Sequence, residues 1–243
     1  MLYRDTLFSS SIVNPINWQF DSKVAKVFPD MIKRSVPGYS TIVSMIGKLA
    51  KHFVQKNTYI YDLGCSLGAV TFSIIKNLRV TDCKIIAIDN SPAMIAGCKK
   101  KLNKHKLKTS IEIVEANICN INIKNASLVI LNFTLQFIHP DERNNILTKI
   151  YNGLNTGGAL ILSEKFNFAD DKIEKLMFIW HDEFKKTNGY SELEISQKRT
   201  MLKNVMLTDT IENHKKKLSD TGFAHAELWY QYFNFGSFIA IKT

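Results

Sequence analysis

From residue 58 onward the sequence alternates short apolar runs with helical stretches, and this restricts the chain to a parallel sheet covered by helices on both faces. Residues 59–63, 84–88, 111–114, 128–132 and 159–163 read as five strands. Helices are expected over 69–78, 92–103 and 141–154, the last with Pro140 before it and Gly157-Gly158 after it. The alternation stops at 167–206, a polar, mostly helical stretch that reads as an insert. A helix over 211–219 follows, with Gly222 as its stop. Residues 226–233 and 237–241 then read as two strands joined at Asn234-Phe235-Gly236, an antiparallel edge hairpin.

Upstream, residues 1–57 read as an arm followed by helices. Ile42, Met45, Ile46, Leu49 and Phe53 recur at helical spacing, with Ser40 as the expected N-cap and Pro37-Gly38 breaking the chain before it. The whole span, 1–243, is long enough for one good core and reads as a single α/β domain. A mostly parallel seven-stranded sheet ending in an antiparallel hairpin marks the class I S-adenosylmethionine-dependent methyltransferase-like variant of the Rossmann-like fold. The insert at 167–206 is expected near its active site.

A net charge of +10 admits nucleic acid, anionic substrates or a membrane surface as partners. The lysines are spread along the chain, however, and the arginines, the better phosphate forks, are only Arg4, Arg34, Arg79, Arg143 and Arg199. The dense cluster Lys99-Lys100-Lys101 with Lys104, Lys106 and Lys108 reads as a solvated helix face. No direct nucleic-acid binding is expected. No apolar run approaches a membrane span, and the N-terminus lacks a signal-peptide pattern. Cys65, Cys83, Cys98 and Cys119 have neither Cys-x-x-Cys nor zinc spacing. They read as reduced thiols of a cytoplasmic protein without a metal. No histidine near Cys65 in sequence would activate it, so it reads as a small loop side chain. His181 and Asp182 read as an exposed surface pair.

The chemistry gathers at strand ends, where open α/β sheets bind ligands. The first strand ends in Asp62-Leu63-Gly64-Cys65-Ser66-Leu67-Gly68. This is one glycine short of a dinucleotide loop, and it resembles the methyltransferase loop Asp-x-Gly-x-Gly-x-Gly with Ser66 at the middle glycine. S-adenosylmethionine has no pyrophosphate, so the loop suits it. Asp89, ending the second strand roughly 20 residues later, can accept from both ribose hydroxyls. Asp89 could instead cap the next helix, a role open to Ser91 as well. Asn117, in Ala116-Asn117-Ile118 after the third strand, is placed to read the adenine edge or to be a plain turn residue. Asn132 ends the fourth strand, where the reactive end of the cofactor would sit. Asn132-Phe133-Thr134-Leu135 lacks the Asn/Asp-Pro-Pro-Tyr of amino-directed methyltransferases.

Several segments resemble the carboxy-S-adenosyl-L-methionine synthase family. They are Arg4-Asp5-Thr6-Leu7-Phe8, Val27-Phe28-Pro29-Asp30-Met31, the run from Arg34 to Ser40, and the run from Tyr61 to Ala69. The runs from Ile85 to Ile95 and from Leu131 to Phe137 are similar too, as are Ser163-Glu164-Lys165-Phe166, Asn188 to Arg199, and Phe233-Asn234-Phe235-Gly236-Ser237. The resemblance implies S-adenosyl-L-methionine as substrate, prephenate as second substrate, carboxy-S-adenosyl-L-methionine as product and phenylpyruvate as co-product. It implies a homodimer whose product feeds a tRNA carboxymethyltransferase acting on a hydroxylated wobble uridine. It also implies cofactor contacts from Tyr39, Gly64, Cys65, Ser66, Asp89, Asn90, Asn117, Ile118, Asn132 and Arg199, with Arg199 as the catalytic cation that holds the new carboxylate. Competing readings are a small-molecule methyltransferase and a tRNA-binding protein that keeps the cofactor only structurally.

Overall fold

The computed structural model describes residues 3–11, 18–78, 80, 82–105 and 108–243. Arg79 and Lys106 lie outside the described residues. A seven-stranded sheet holds the chain together in the order β3-β2-β1-β4-β5-β7-β6. Its strands are β1 (Thr58–Leu63), β2 (Cys83–Asp89), β3 (Ser110–Glu115), β4 (Ala126–Asn132), β5 (Leu154–Lys165), β6 (His225–Tyr232) and β7 (Phe235–Ile241). The first five pair in parallel, and β7 runs antiparallel to both β5 and β6. Strand β4 is buried on both faces up to Leu131, which explains its unbroken apolar run. Chain order reverses beside β1, and there the carboxyl ends of β1 and β4 open a crevice.

Helices α1 (Ser22–Ser35) and α2 (Tyr39–Phe53) precede the sheet. Helices α3 (Ala69–Asn77), α4 (Pro92–Leu102) and α5 (Pro140–Gly153) follow β1, β2 and β4, and α8 (Ile211–Thr221) precedes the hairpin. The insert folds as α6 (Asp171–Thr187) and α7 (Glu192–Leu202). A capping box between Ser191 and Glu194 starts α7. No helix among the described residues is long and apolar enough to cross a membrane.

Some boundaries differ from the sequence reading, each for a local reason. Helix α2 starts at Tyr39 and is capped by Gly38, not Ser40; Gly38 has φ of 70°, and Ser40 already lies within the helix. Helix α5 takes Pro140 as its first residue and ends at Gly153, where an added Cβ would come within 2.4 Å of the Ile123 carbonyl. Strand β5 therefore begins at Leu154, and Gly157-Gly158 lie inside it. The hairpin turns at Phe233-Asn234; Phe235 is buried and belongs to β7.

The N-terminal arm is clasped to the insert by contacts no local pattern announces. The Tyr190 hydroxyl donates to Asp5 Oδ2 at 2.5 Å, across 185 positions of sequence. Arg34 lies over the Tyr190 ring at 3.8 Å and donates to the Asn188 and Gly189 carbonyls at 2.7 Å. Gln197 donates to the Phe8 and Ser10 carbonyls. Phe8, Trp18, Val24, Val27, Met31 and Met94 form a small core that ties arm and α1 to α4. Arm and insert thus roof the carboxyl ends of the strands.

Candidate active site

Beneath that roof lies a cleft of about 1330 Å³. All ten cofactor candidates, from Tyr39 and the 64–66 loop to Asn132 and Arg199, line it. The loop's internal bonding decides what it can hold. Gly64 N–H and Cys65 N–H both donate to the Ile88 carbonyl, at 2.8 and 2.9 Å, and Gly68 N–H donates to the Cys65 carbonyl. Ser66 N–H donates to Asp89 Oδ2 at 2.8 Å. These bonds engage the amides of Gly64, Cys65, Ser66 and Gly68 within the protein, so those four are not donors for a phosphate. The loop offers oxygen acceptors instead, which favours a cationic ligand.

The acidic groups agree. Asp62 is 1% exposed and accepts both the N–H and the hydroxyl of Thr71. Burial pushes its carboxyl up to about 6, against those two hydrogen bonds. Burial also raises Asp89, opposed by the N–H groups of Ser91, Ser66 and Asn90. Ser91, not Asp89, caps α4 through Met94 N–H, which leaves Asp89 to brace the loop and face the cleft. Tyr39 opens α2 beside Asp62, and burial with that carboxylate pushes its phenol up. Asn132 Oδ1 is buried at the end of β4 and has no hydrogen-bond partner among the described residues. Such an orphan acceptor costs free energy unless a ligand donor meets it. S-adenosylmethionine carries a sulfonium, an ammonium and two ribose hydroxyls, so the acceptors Asp89 and Asn132 fit it.

Asn117 uses Oδ1 to accept Cys119 N–H and caps a short 3₁₀ turn, Ile118–Asn120, and it lines the cleft. Ile118 is buried beside it. Cys65 is buried, and the Cys98 thiol together with burial pushes its own thiol up, as befits a packing role. Gly64 has φ of 77°, and an added Cβ would lie 2.4 Å from Thr134 Oγ1. Gly64→Ala should destabilise the fold by about 2 kcal/mol through left-handed strain and this clash. A urea melt checks this; an unchanged midpoint would mean that Thr134 moves aside freely.

The insert side corrects the sequence reading. His181 is buried, not a surface residue; its Nε2 bonds the Ser35 carbonyl at 2.8 Å and its ring meets Phe235. Asp182 is bound closely by Arg199 and lies 2.9 Å from Lys185. Arg199 is 44% exposed in its side chain and lies over Phe178 at 4.6 Å. Lys165, Lys185 and Lys198 line the same cleft. Burial lowers all three ammonium groups, Lys165 and Lys198 to about 8. No cluster of cations was legible in the sequence; only the position of Lys165 at a strand's carboxyl end hinted at one. Arg143, by contrast, is a buried tie between the Ile138 and Leu207 carbonyls. Lys99, Lys100, Lys104 and Lys108 are exposed, as a solvated face requires, but Lys101 is half-buried with its ammonium lowered by burial, and Lys100, Lys101 and Lys104 line the cleft. Among the described residues no group of three or more His, Cys, Asp or Glu side chains could hold a metal ion.

A doubly wound sheet with an antiparallel β7 and an acceptor-lined crevice at its switch point defines the class I methyltransferase-like fold. Residues 60–158 match the family described as "Methyltransferase domain". Solved structures agree on the fold. Human N-acetylserotonin methyltransferase in complex with SAM superposes with a TM-score of 0.63 at 17% identity, over 91% of this chain and 55% of that one. A putative S-adenosyl-L-methionine-dependent methyltransferase from Methanococcus maripaludis gives 0.61 at 21% identity, over 95% and 97%. The curated carboxy-S-adenosyl-L-methionine synthases of Salmonella paratyphi C and Klebsiella pneumoniae are 61% and 60% identical, over 100% of this chain and 98% of theirs. The chain belongs to the carboxy-S-adenosyl-L-methionine synthase family and is an enzyme.

Proposed function

We propose that the enzyme converts S-adenosyl-L-methionine and prephenate to carboxy-S-adenosyl-L-methionine, phenylpyruvate and water. The observation that carries this reading is one continuous cleft, with acceptors at Asp89 and Asn132 and cations at Lys165, Lys185 and Arg199. A sulfonium ligand suits the first wall and carboxylates suit the second. The sulfonium acidifies its methyl group. Prephenate aromatises as it loses carbon dioxide and hydroxide; the hydroxide leaves as water with the methyl proton, and the methyl carbon bonds to carbon dioxide. The roof of arm and insert keeps out the water that would otherwise return the proton. Mass spectrometry after incubation with both substrates tests the reading: a cofactor heavier by one carbon dioxide is expected. Its absence with folded protein, or methyl transfer in its place, would overturn it.

Arg199 is the cation assigned to the new carboxylate. Because it is half-exposed and already shares Asp182, Arg199→Ala should weaken the product by about 1.5 kcal/mol, roughly tenfold. Calorimetry should show S-adenosylmethionine nearly unaffected; equal losses for both ligands would remove Arg199 from this role. The reading carries with it a homodimer, a cytoplasmic location and a product used by a tRNA carboxymethyltransferase. Four free thiols suit a reducing compartment.

A further inference from the structure

We propose that Lys165 seats a carboxylate of the second substrate, with Phe178 and Phe235 flanking that substrate's ring. The inference rests on the function proposed above and supplies the anion site that function needs. Lys165 ends β5 beside the end of β4, where Asn132 pairs in register with Ser163. Lys165 thus enters the cleft from the strand beside Asn132, whereas Asp62 and Asp89 enter from β1 and β2 on the far side of β4.

Its surroundings are unusual for a lysine. The ammonium lies 5.5 Å from the Phe178 ring centroid and 5.8 Å from that of Phe235. Among the described residues it has no hydrogen-bond acceptor and no carboxylate within salt-bridge distance. Carboxylates act on it only from further off. Glu174 on α6 is occupied with the Phe168 N–H, and Asp182 is shared between Lys185 and Arg199. Lys185 and Arg199 are like charges facing the same group. Lys198 differs, because it donates to Ser35 Oγ at 3.0 Å and lies 4.0 Å from Asp5.

An ammonium held among rings and other cations is poorly solvated, and burial lowers it to about 8. A carboxylate arriving there gains a charge-assisted hydrogen bond where water is scarce and relieves the repulsion among three cations. The two rings favour a flat or nearly flat ring next to that carboxylate. A phosphate would call for several convergent unpaired donors, and the Lys165 ammonium offers one. The class of ligand is thus a small, ring-bearing carboxylate.

Lys165→Met tests the site in the full-length enzyme. The KM for prephenate should rise about thirtyfold or more while the Kd for S-adenosylmethionine stays within about twofold. Lys165→Arg should recover part of the loss. An unchanged KM, or a parallel loss of S-adenosylmethionine binding, overturns the assignment. If the wild type makes no carboxylated product, the parent reading fails by itself. The site is then judged by calorimetric titration of phenylpyruvate into wild type and Lys165→Met. Binding that disappears in the variant upholds it, and equal binding or none in either protein overturns it.

Discussion

Replacing Asp89 by Ala is expected to weaken S-adenosylmethionine binding by about a hundredfold, the scale for removing one partner of a buried charged hydrogen-bond set. Two separate losses combine. On the function proposed above the ribose hydroxyls lose their acceptor, and Ser66 and Ser91 lose the acceptor of their N–H groups. The second loss frees the loop whose conformation places Gly64 and Cys65, and it should also cost about 1–3 kcal/mol of stability. Asp89→Asn keeps one acceptor oxygen, so it should regain most of the stability and only part of the affinity. Calorimetry and urea melts on both variants separate the effects. Folded Asp89→Ala that binds within about threefold of wild type would show that Asp89 only braces the loop.

The second large effect is a contribution of Glu164 to stability that falls as pH rises between about 6.5 and 8. This carboxyl is 1% exposed at the end of β5 and accepts Leu135 N–H at 2.9 Å. Burial pushes it up to about 8, opposed by Arg143 and by backbone N–H groups. The folded protein therefore keeps this proton up to about pH 8, whereas the unfolded chain releases it near 4.5. At this site the folded protein binds more protons in that window, so the Glu164 contribution falls as pH rises, by up to about 1.4 kcal/mol per unit. Asp62, raised to about 6, acts in the same sense at lower pH. His181 and His214, lowered by burial, act oppositely, and their gain is complete above the ordinary value of 6.5. Lys165 and Lys198, lowered to about 8, oppose Glu164 increasingly toward the top of the range, as the two histidines do at its foot. The Glu164 contribution is therefore read as the difference in slope between wild type and Glu164→Gln, which keeps an acceptor oxygen for Leu135. The variant should gain stability relative to wild type as pH rises through this span. Parallel slopes for both proteins in urea melts would remove Glu164 from this role.

The sheet was legible because strand and helix periodicities are local, and so were the acceptors that follow each strand. Where the boundaries moved, the causes were specific. Gly38 takes the left-handed cap that Ser40 would fill less well, Gly153 ends α5 against a carbonyl, and Phe233 rather than Phe235 makes the turn. On the substrate side only Arg199 was named from the sequence, and that through the family resemblance rather than any local pattern. His181 and Asp182 look like an exposed polar pair until α6 packs them against Ser35, Lys185 and Arg199.

The opening alternation by itself determined the fold class and the acceptor wall of the cleft, because each depends on residues a few positions apart. The cation wall was decided only by the tertiary structure. Lys165, Lys185 and Arg199 come from β5, α6 and α7, and the roof that encloses them depends on Asp5 meeting Tyr190 across 185 positions. Burial and Coulomb energy depend on distances in space, which the folded chain sets and local sequence patterns do not encode.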